Sequence, residues 1–114
     1  MRVLVLSETD ALCGPMAAAF LRDFSISLEV VSAGMNPTQA IDPLVVEVMH
    51  ESLIDLETYV PCSKDELKES DFDGVYQCPK VKKPKTLAEY RALRDFIKNE
   101  VFLFYRKLEK ATHP

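Results

Sequence analysis

No apolar run in the sequence approaches the ~20 residues that a membrane-spanning helix needs, so no membrane role is expected. Histidine is scarce. His50 falls inside a helical stretch and His113 in the terminal tail, and no Cys/His spacing suggests zinc or another metal. Cys13, Cys62 and Cys78 are odd in number and widely spaced, which argues against a secreted disulfide framework. The three glycines form no dinucleotide fingerprint, Walker loop or nucleophile elbow, and no cofactor is implied. Positive charge is in deficit: 14 Lys and Arg against 18 Asp and Glu leave a net charge of −4, a poor balance for a nucleic-acid binder. Met1-Arg2 leads straight into a short apolar run without a signal-peptide pattern, so a reduced cytoplasmic protein is the expectation.

What is present is a globular composition, 47% hydrophobic and 28% charged over 114 residues, enough for one domain with a real core. That domain is expected over residues 1–110, with 111–114 as a tail. Arg2 to Ser7 is too short for a helix and rich in valine, so it reads as a central parallel strand. A loop then runs to Pro15, which suits a first helical turn, with "MAAAFLRDF" continuing the helix. "SLEVVSAG" alternates and stops at Gly34 as a second strand. Asp42 and Pro43 open a second helix, whose apolar side is Val45, Val46, Val48, Met49 and Leu53. Ser63 and Glu66 have capping-box spacing for a short helix, and Phe72 to Cys78 reads as a third strand. Thr86 and Glu89 cap a long last helix over Leu87 to Lys110. Its continuous face is Leu87, Tyr90, Leu93, Ile97, Val101, Phe104 and Leu108.

Strands alternating with helices imply an α/β protein: a three-layer parallel sheet with helices on both faces. Ligands in that architecture sit beyond the carboxyl ends of the strands, where the first strand meets the first helix. The loop there, "SETDALCG", would cradle an anion with helix-start amides, yet it carries Glu8 and Asp10 and no basic residue.

The chain resembles the low-molecular-weight protein tyrosine phosphatases and the related thioredoxin-coupled arsenate reductases. The likeness rests on pieces in order: the apolar strand at 3–6, "PMAAAF" at 15–20, "SAG" at 32–34, "DPLVVEVM" at 42–49, "IDL" at 54–56, "SDFD" at 70–73 and "YRALRDFIKNEV" at 90–101. The resemblance implies a shortened phosphatase-like (flavodoxin-like) fold and an anion loop made of Glu8, Thr9, Asp10, Ala11, Leu12, Cys13 and Gly14. It also implies a Cys-x5-Arg-Ser signature, in which a thiolate attacks and an arginine fork holds the oxyanion.

This sequence departs from that signature at each chemical position. Ser7 stands at the nucleophile, Cys13 at the arginine and Gly14 at the serine that follows, while Thr9 and Asp10 replace glycine and asparagine. A serine hydroxyl stays protonated near neutral pH, and the loop offers no histidine as base. At an effective dielectric of about 20, a carboxylate ~5 Å from a bound anion costs on the order of 3 kcal/mol, so the charges of Glu8 and Asp10 would oppose phosphate. Asp10 still suits the left-handed backbone of the asparagine it replaces. The family's general acid, an aspartate before proline, aligns with Lys83-Pro84. A lysine with an ordinary pKa near ~10.4 makes a poor proton donor. A fourth strand would have to fit into "PKVKK".

The expected function is therefore a catalytically inactive relative with a binding or regulatory role. A divergent reductase or phosphatase still handling an oxyanion is one alternative. A thiol redox protein using Cys13 with Cys62 or Cys78 is another. The lysine run from 80 to 85 reads as a solvated loop. "VFLFY" (Val101 to Tyr105) is apolar right around its helix, so two readings stand side by side: a twofold homodimer with Phe102 and Tyr105 at the contact, or a long helix packed on two neighbours. The identity of any other protein partner is not written in the sequence.

Overall fold

The computed structural model describes residues 1–112; His113 and the end of the expected tail lie outside the described residues. The elements are β1 (Arg2–Ser7), α1 (Cys13–Phe24), β2 (Glu29–Gly34), α2 (Pro43–His50), β3 (Gly74–Gln77) and α3 (Leu87–Thr112), with 3₁₀ turns at Lys64–Glu66 and Glu69–Asp71 before β3. The strands form one parallel sheet in the order β2-β1-β3. Residues 3–6 of β1 are at most 2% exposed, as a central strand walled on both faces must be.

The alternation of β1 divides the core. Val3 and Val5 join Met16 and Phe20 of α1, Val45, Val48 and Met49 of α2, and Tyr90, Ile97 and Val101 of α3. Leu4 and Leu6 face the other way, onto Ala33 with Leu67 and Phe72 around the 3₁₀ turns. Helical structure thus lies on both faces, with the three α-helices gathered on one.

Several boundaries move. Helix α1 begins at Cys13, so Pro15 is its third residue and the loop shortens to Glu8–Leu12. Strand β3 starts at Gly74, after Phe72 has turned into the second core. Helix α2 ends at His50 because Ile54 donates its N–H back to Met49 O (3.0 Å). That closure puts Leu53 in the left-handed region at φ 62° and leaves it 94% exposed, not on the apolar side. Ser63 caps through the Asp65 N–H (3.2 Å), one residue before the expected Glu66. No strand forms over 79–85, so β3 is an edge.

Helix α3 keeps its expected face: Tyr90, Leu93, Ile97 and Val101 are buried, and Leu87, Phe104 and Leu108 pack against them. Thr86 accepts the Glu89 N–H (3.1 Å) at its start. The apolar collar of α3 is largely used internally. Phe104 meets Tyr76 edge-on at 5.3 Å, and Tyr105 lies 5.9 Å from Phe24. Phe102 also touches Phe24, yet stays 37% exposed beside Leu103 at 55%. Among the described residues no helix is long and apolar enough to cross a membrane.

Candidate functional site

The β1–α1 loop is shaped by the segment that follows β2. Ser7 O accepts from the Met35 N–H (3.0 Å), Glu8 O from Asn36 (2.7 Å), Thr9 O from Thr38 (3.2 Å) and Ala11 O from Asp42 (3.0 Å). Four carbonyls are therefore turned outward. In a trans peptide the next N–H points the opposite way, and no peptide here is cis. The amides of Glu8, Thr9, Asp10 and Leu12 accordingly point away from that segment. The Asp10 amide donates to Ser7 Oγ at 3.1 Å. Those of Glu8, Thr9 and Leu12 have no protein acceptor among the described residues, and Leu12 gives α1 no side-chain cap. Convergent amides at a helix start are what an oxyanion recognises.

The two carboxylates of the loop go to different places: Glu8 lines the cleft and Asp10 lies beneath the loop. Asp10 adopts φ 53° and is fully buried beneath the loop. Its Oδ1 accepts from Ser32 Oγ (2.5 Å), and its Oδ2 accepts from the Tyr59 hydroxyl and from the Cys62 N–H (2.9 Å). Burial pushes its pKa up, against the pull of the Ser32, Tyr59 and Cys62 bonds. Burial and the Asp10 hydrogen bond push the Tyr59 phenol up as well, so it stays a donor. Asp10 is thus a rivet holding the loop to β2 and to the 59–62 segment. Glu8 is exposed at the rim and accepts from Asn36 Nδ2 (2.8 Å).

Ser7 is 6% exposed and spends its Oγ on the Asp10 amide. Gly14 sits against it, and a Cβ there would lie 2.5 Å from Ser7 Oγ. Any larger residue at position 14 would press on that hydroxyl. Cys13, expected at the arginine position, is a buried thiol. The structure brings Cys78, not Cys62, beside it. The Cys78 N–H donates to Leu6 O (2.8 Å), continuing the β1–β3 register so that Cys78 follows Gln77 at the carboxyl end of the sheet. Interaction with the Cys13 sulfur, then burial, raises the Cys78 thiol pKa. Cys62 is exposed.

These residues floor a cleft of about 880 Å³. Leu12, Met35, Ile41 and Val81 give it apolar walls, and Lys80 and Lys83 stand on its rim. Lys83 is exposed. Thr9 and Ala11 also line the cleft, so the expected loop positions are all at the site except Asp10 and Gly14, which lie under it.

Two supporting contacts were not read from the sequence. Tyr59, in a segment without regular structure, anchors Asp10. Tyr90 donates to Oδ2 of Asp42 (2.6 Å) while Asp42 Oδ1 accepts the Leu44 N–H (3.0 Å), tying α3 to the start of α2 at the cleft edge. Asp42-Pro43 signalled its cap, but nothing local signalled its partner.

No protein-family model matches the sequence, and no curated protein matches it. Solved structures do match. An arsenate reductase in the phosphate-binding state superposes with a TM-score of 0.85 at 17% identity, covering 94% of this chain and 98% of that one. An arginine phosphatase from Geobacillus stearothermophilus gives 0.78 at 19% identity over 99% and 97%. An Erwinia amylovora tyrosine phosphatase gives 0.80 at 14% identity over 93% and 91%. At these identities the likeness is one of fold: a low-molecular-weight phosphatase and arsenate reductase fold.

Proposed function

We propose that this protein is a catalytically inactive relative of the phosphatases and arsenate reductases whose fold it has, and that it binds an oxyanion-bearing ligand without turning it over. The observation that carries this reading is that the carbonyls of Ser7, Glu8, Thr9 and Ala11 accept from the 35–42 segment, while the amides of Glu8, Thr9 and Leu12 have no protein acceptor among the described residues. Binding needs only those donors and a shaped cleft, whereas turnover needs an activated nucleophile and stabilised transition-state charge. The hydroxyl of Ser7 is engaged with the Asp10 amide, and Cys13 supplies no positive charge where an arginine would stand. Lys80 and Lys83 on the rim offer the only cationic side chains lining the cleft among the described residues. Its apolar walls favour a ligand with an apolar body behind the anionic group.

Amide NMR titration with phosphate and then arsenate, following residues 8 to 14, tests the binding half. Saturable shifts confined to the loop are expected, with no hydrolysis of p-nitrophenyl phosphate and no arsenate reduction in the same samples. Turnover above the buffer rate would establish the alternative, a divergent reductase or phosphatase. No shift at tens of millimolar anion would remove the oxyanion and leave the cleft to a protein partner.

A further inference from the structure

Cys13 and Cys78 are 65 residues apart in the sequence, yet both line the same cleft, and their side chains interact. Two elements enforce this. The hydrogen bond from Cys78 N–H to Leu6 O holds Cys78 at the carboxyl end of β3. Cys13 is the first residue of α1, where the helix amides favour negative charge. Each thiol is at most 6% exposed, but the cleft gives a small reagent a path to both. Cys62 is exposed and is not in this pair.

We propose that Cys13 and Cys78 form a reversible redox pair, oxidised by hydrogen peroxide to a disulfide across the cleft floor. The Cys13 thiolate attacks one peroxide oxygen, forming a sulfenic acid as the O–O bond breaks. The hydroxide released takes up the thiol's proton and leaves as water. The Cys78 sulfur then attacks the Cys13 sulfur, the S–O bond breaks, and a second water carries away the hydroxyl and the Cys78 proton. Two thiols and one peroxide thus become one disulfide and two waters, and a dithiol reductant reverses the change. Position assigns attack to Cys13, at the first turn of α1, and resolution to Cys78, held by Leu6 O at the end of the sheet. The bond would tie the lysine-bearing segment after β3 to the start of α1, closing the floor of the amide cradle.

The test is hydrogen peroxide treatment of the full chain, alkylation of the remaining thiols, and peptide mapping without reductant. The expected product is lighter by two hydrogens, carries a Cys13–Cys78 cross-link, is alkylated at Cys62 alone, and returns to three free thiols with dithiothreitol. In Cys78→Ser, Cys13 should accumulate as a sulfenic acid that dimedone labels, at several times the wild-type level. A cross-link through Cys62, oxidation of Cys13 to the sulfinic acid with Cys78 still free, or retention of all three thiols would each overturn the proposal. Because mapping uses the wild-type chain, failure of a variant to fold does not decide it. Because it reads thiols and not anion binding, its outcome is independent of the oxyanion reading.

Discussion

Tyr59 donates its hydroxyl hydrogen to Oδ2 of Asp10, joining a surface segment to a carboxylate sealed beneath the β1–α1 loop. Turned inward onto two hydroxyls and an amide, the Asp10 carboxylate shapes the loop from beneath, while Glu8 remains among the residues lining the cleft. Removing one donor of a charged buried hydrogen bond costs about 1.5–3 kcal/mol. Tyr59→Phe should therefore lower unfolding stability by about that much in urea titrations. Asp10→Ala should cost more, about 3–5 kcal/mol, because it orphans three donors and forces alanine into a left-handed backbone. Loss of less than 1 kcal/mol in Asp10→Ala would show that the rivet is not holding the loop.

A thiol at position 7 should not by itself confer catalysis if the inactive reading proposed above holds. Ser7→Cys places a thiol at the end of β1 against Gly14 of α1, but position 13 still holds no cation. Lack of a single transition-state donor costs about 10²–10³ in rate in well-studied sites. p-Nitrophenyl phosphate should be hydrolysed by Ser7→Cys no faster than in buffer. Turnover well above that rate would show that a thiol at position 7 suffices and would remove the requirement for a cation at position 13.

Local pattern carried the elements, while pairings distant in sequence built the site. The buried run of β1 and the face of α3 were legible because each is a periodicity within one segment. The Asp42 cap was legible because capping is a short-range signal. The direction of the loop amides was not, since it is imposed by Met35, Asn36, Thr38 and Asp42 on a separate segment. The inward turn of Asp10 depends on Ser32 and Tyr59, so composition alone placed its charge on the wrong side. The Cys13–Cys78 pair depends on the β1–β3 register, and a one-residue slip of β3 would reverse the faces of its residues.

Leu53 occupies the left-handed position after α2 with its side chain in solvent. That backbone costs an L-residue about 1–2 kcal/mol, and glycine escapes the strain while losing more chain entropy on folding. Leu53→Gly should raise stability by about 0.5–1 kcal/mol, seen as a higher urea midpoint with unchanged slope. A lower midpoint would place α2's end elsewhere.

Glu51 ties the end of α2 to α3, accepting from Arg91 Nη2 (2.8 Å) and Arg94 Nη1 (2.8 Å). The Arg91 hydrogen bond first, then that of Arg94, holds its carboxyl at about 2 against an ordinary 4.5. A depressed folded pKa means that the unfolded chain takes up the proton first, so the contribution is present above 4.5 and is lost as pH falls toward 2. Glu51→Gln should flatten that part of the stability–pH curve. The effect should shrink in high salt because the pair is solvent-exposed. An acid limb unchanged by the substitution would show that the cluster contributes nothing.

Phe102 separates the two readings of the α3 collar. Tyr105 and Phe104 have found intramolecular partners in Phe24 and Tyr76, leaving Phe96, Phe102 and Leu103 as the exposed apolar residues of α3. The Phe102 ring lies 5.6 Å from Phe24, with the Arg106 guanidinium 5.8 Å from its centroid. Losing such an aromatic contact alone costs about 0.5–1.5 kcal/mol, so Phe102→Glu should destabilise the fold modestly in either case. Light scattering then reads the assembly. Self-association through this face predicts a dimer mass in the parent chain that falls to the monomer value in Phe102→Glu, because a carboxylate at a twofold contact meets its own copy. A dimer that survives the substitution must use another surface. A parent chain that is already monomeric would assign the ring to packing α3 on α1.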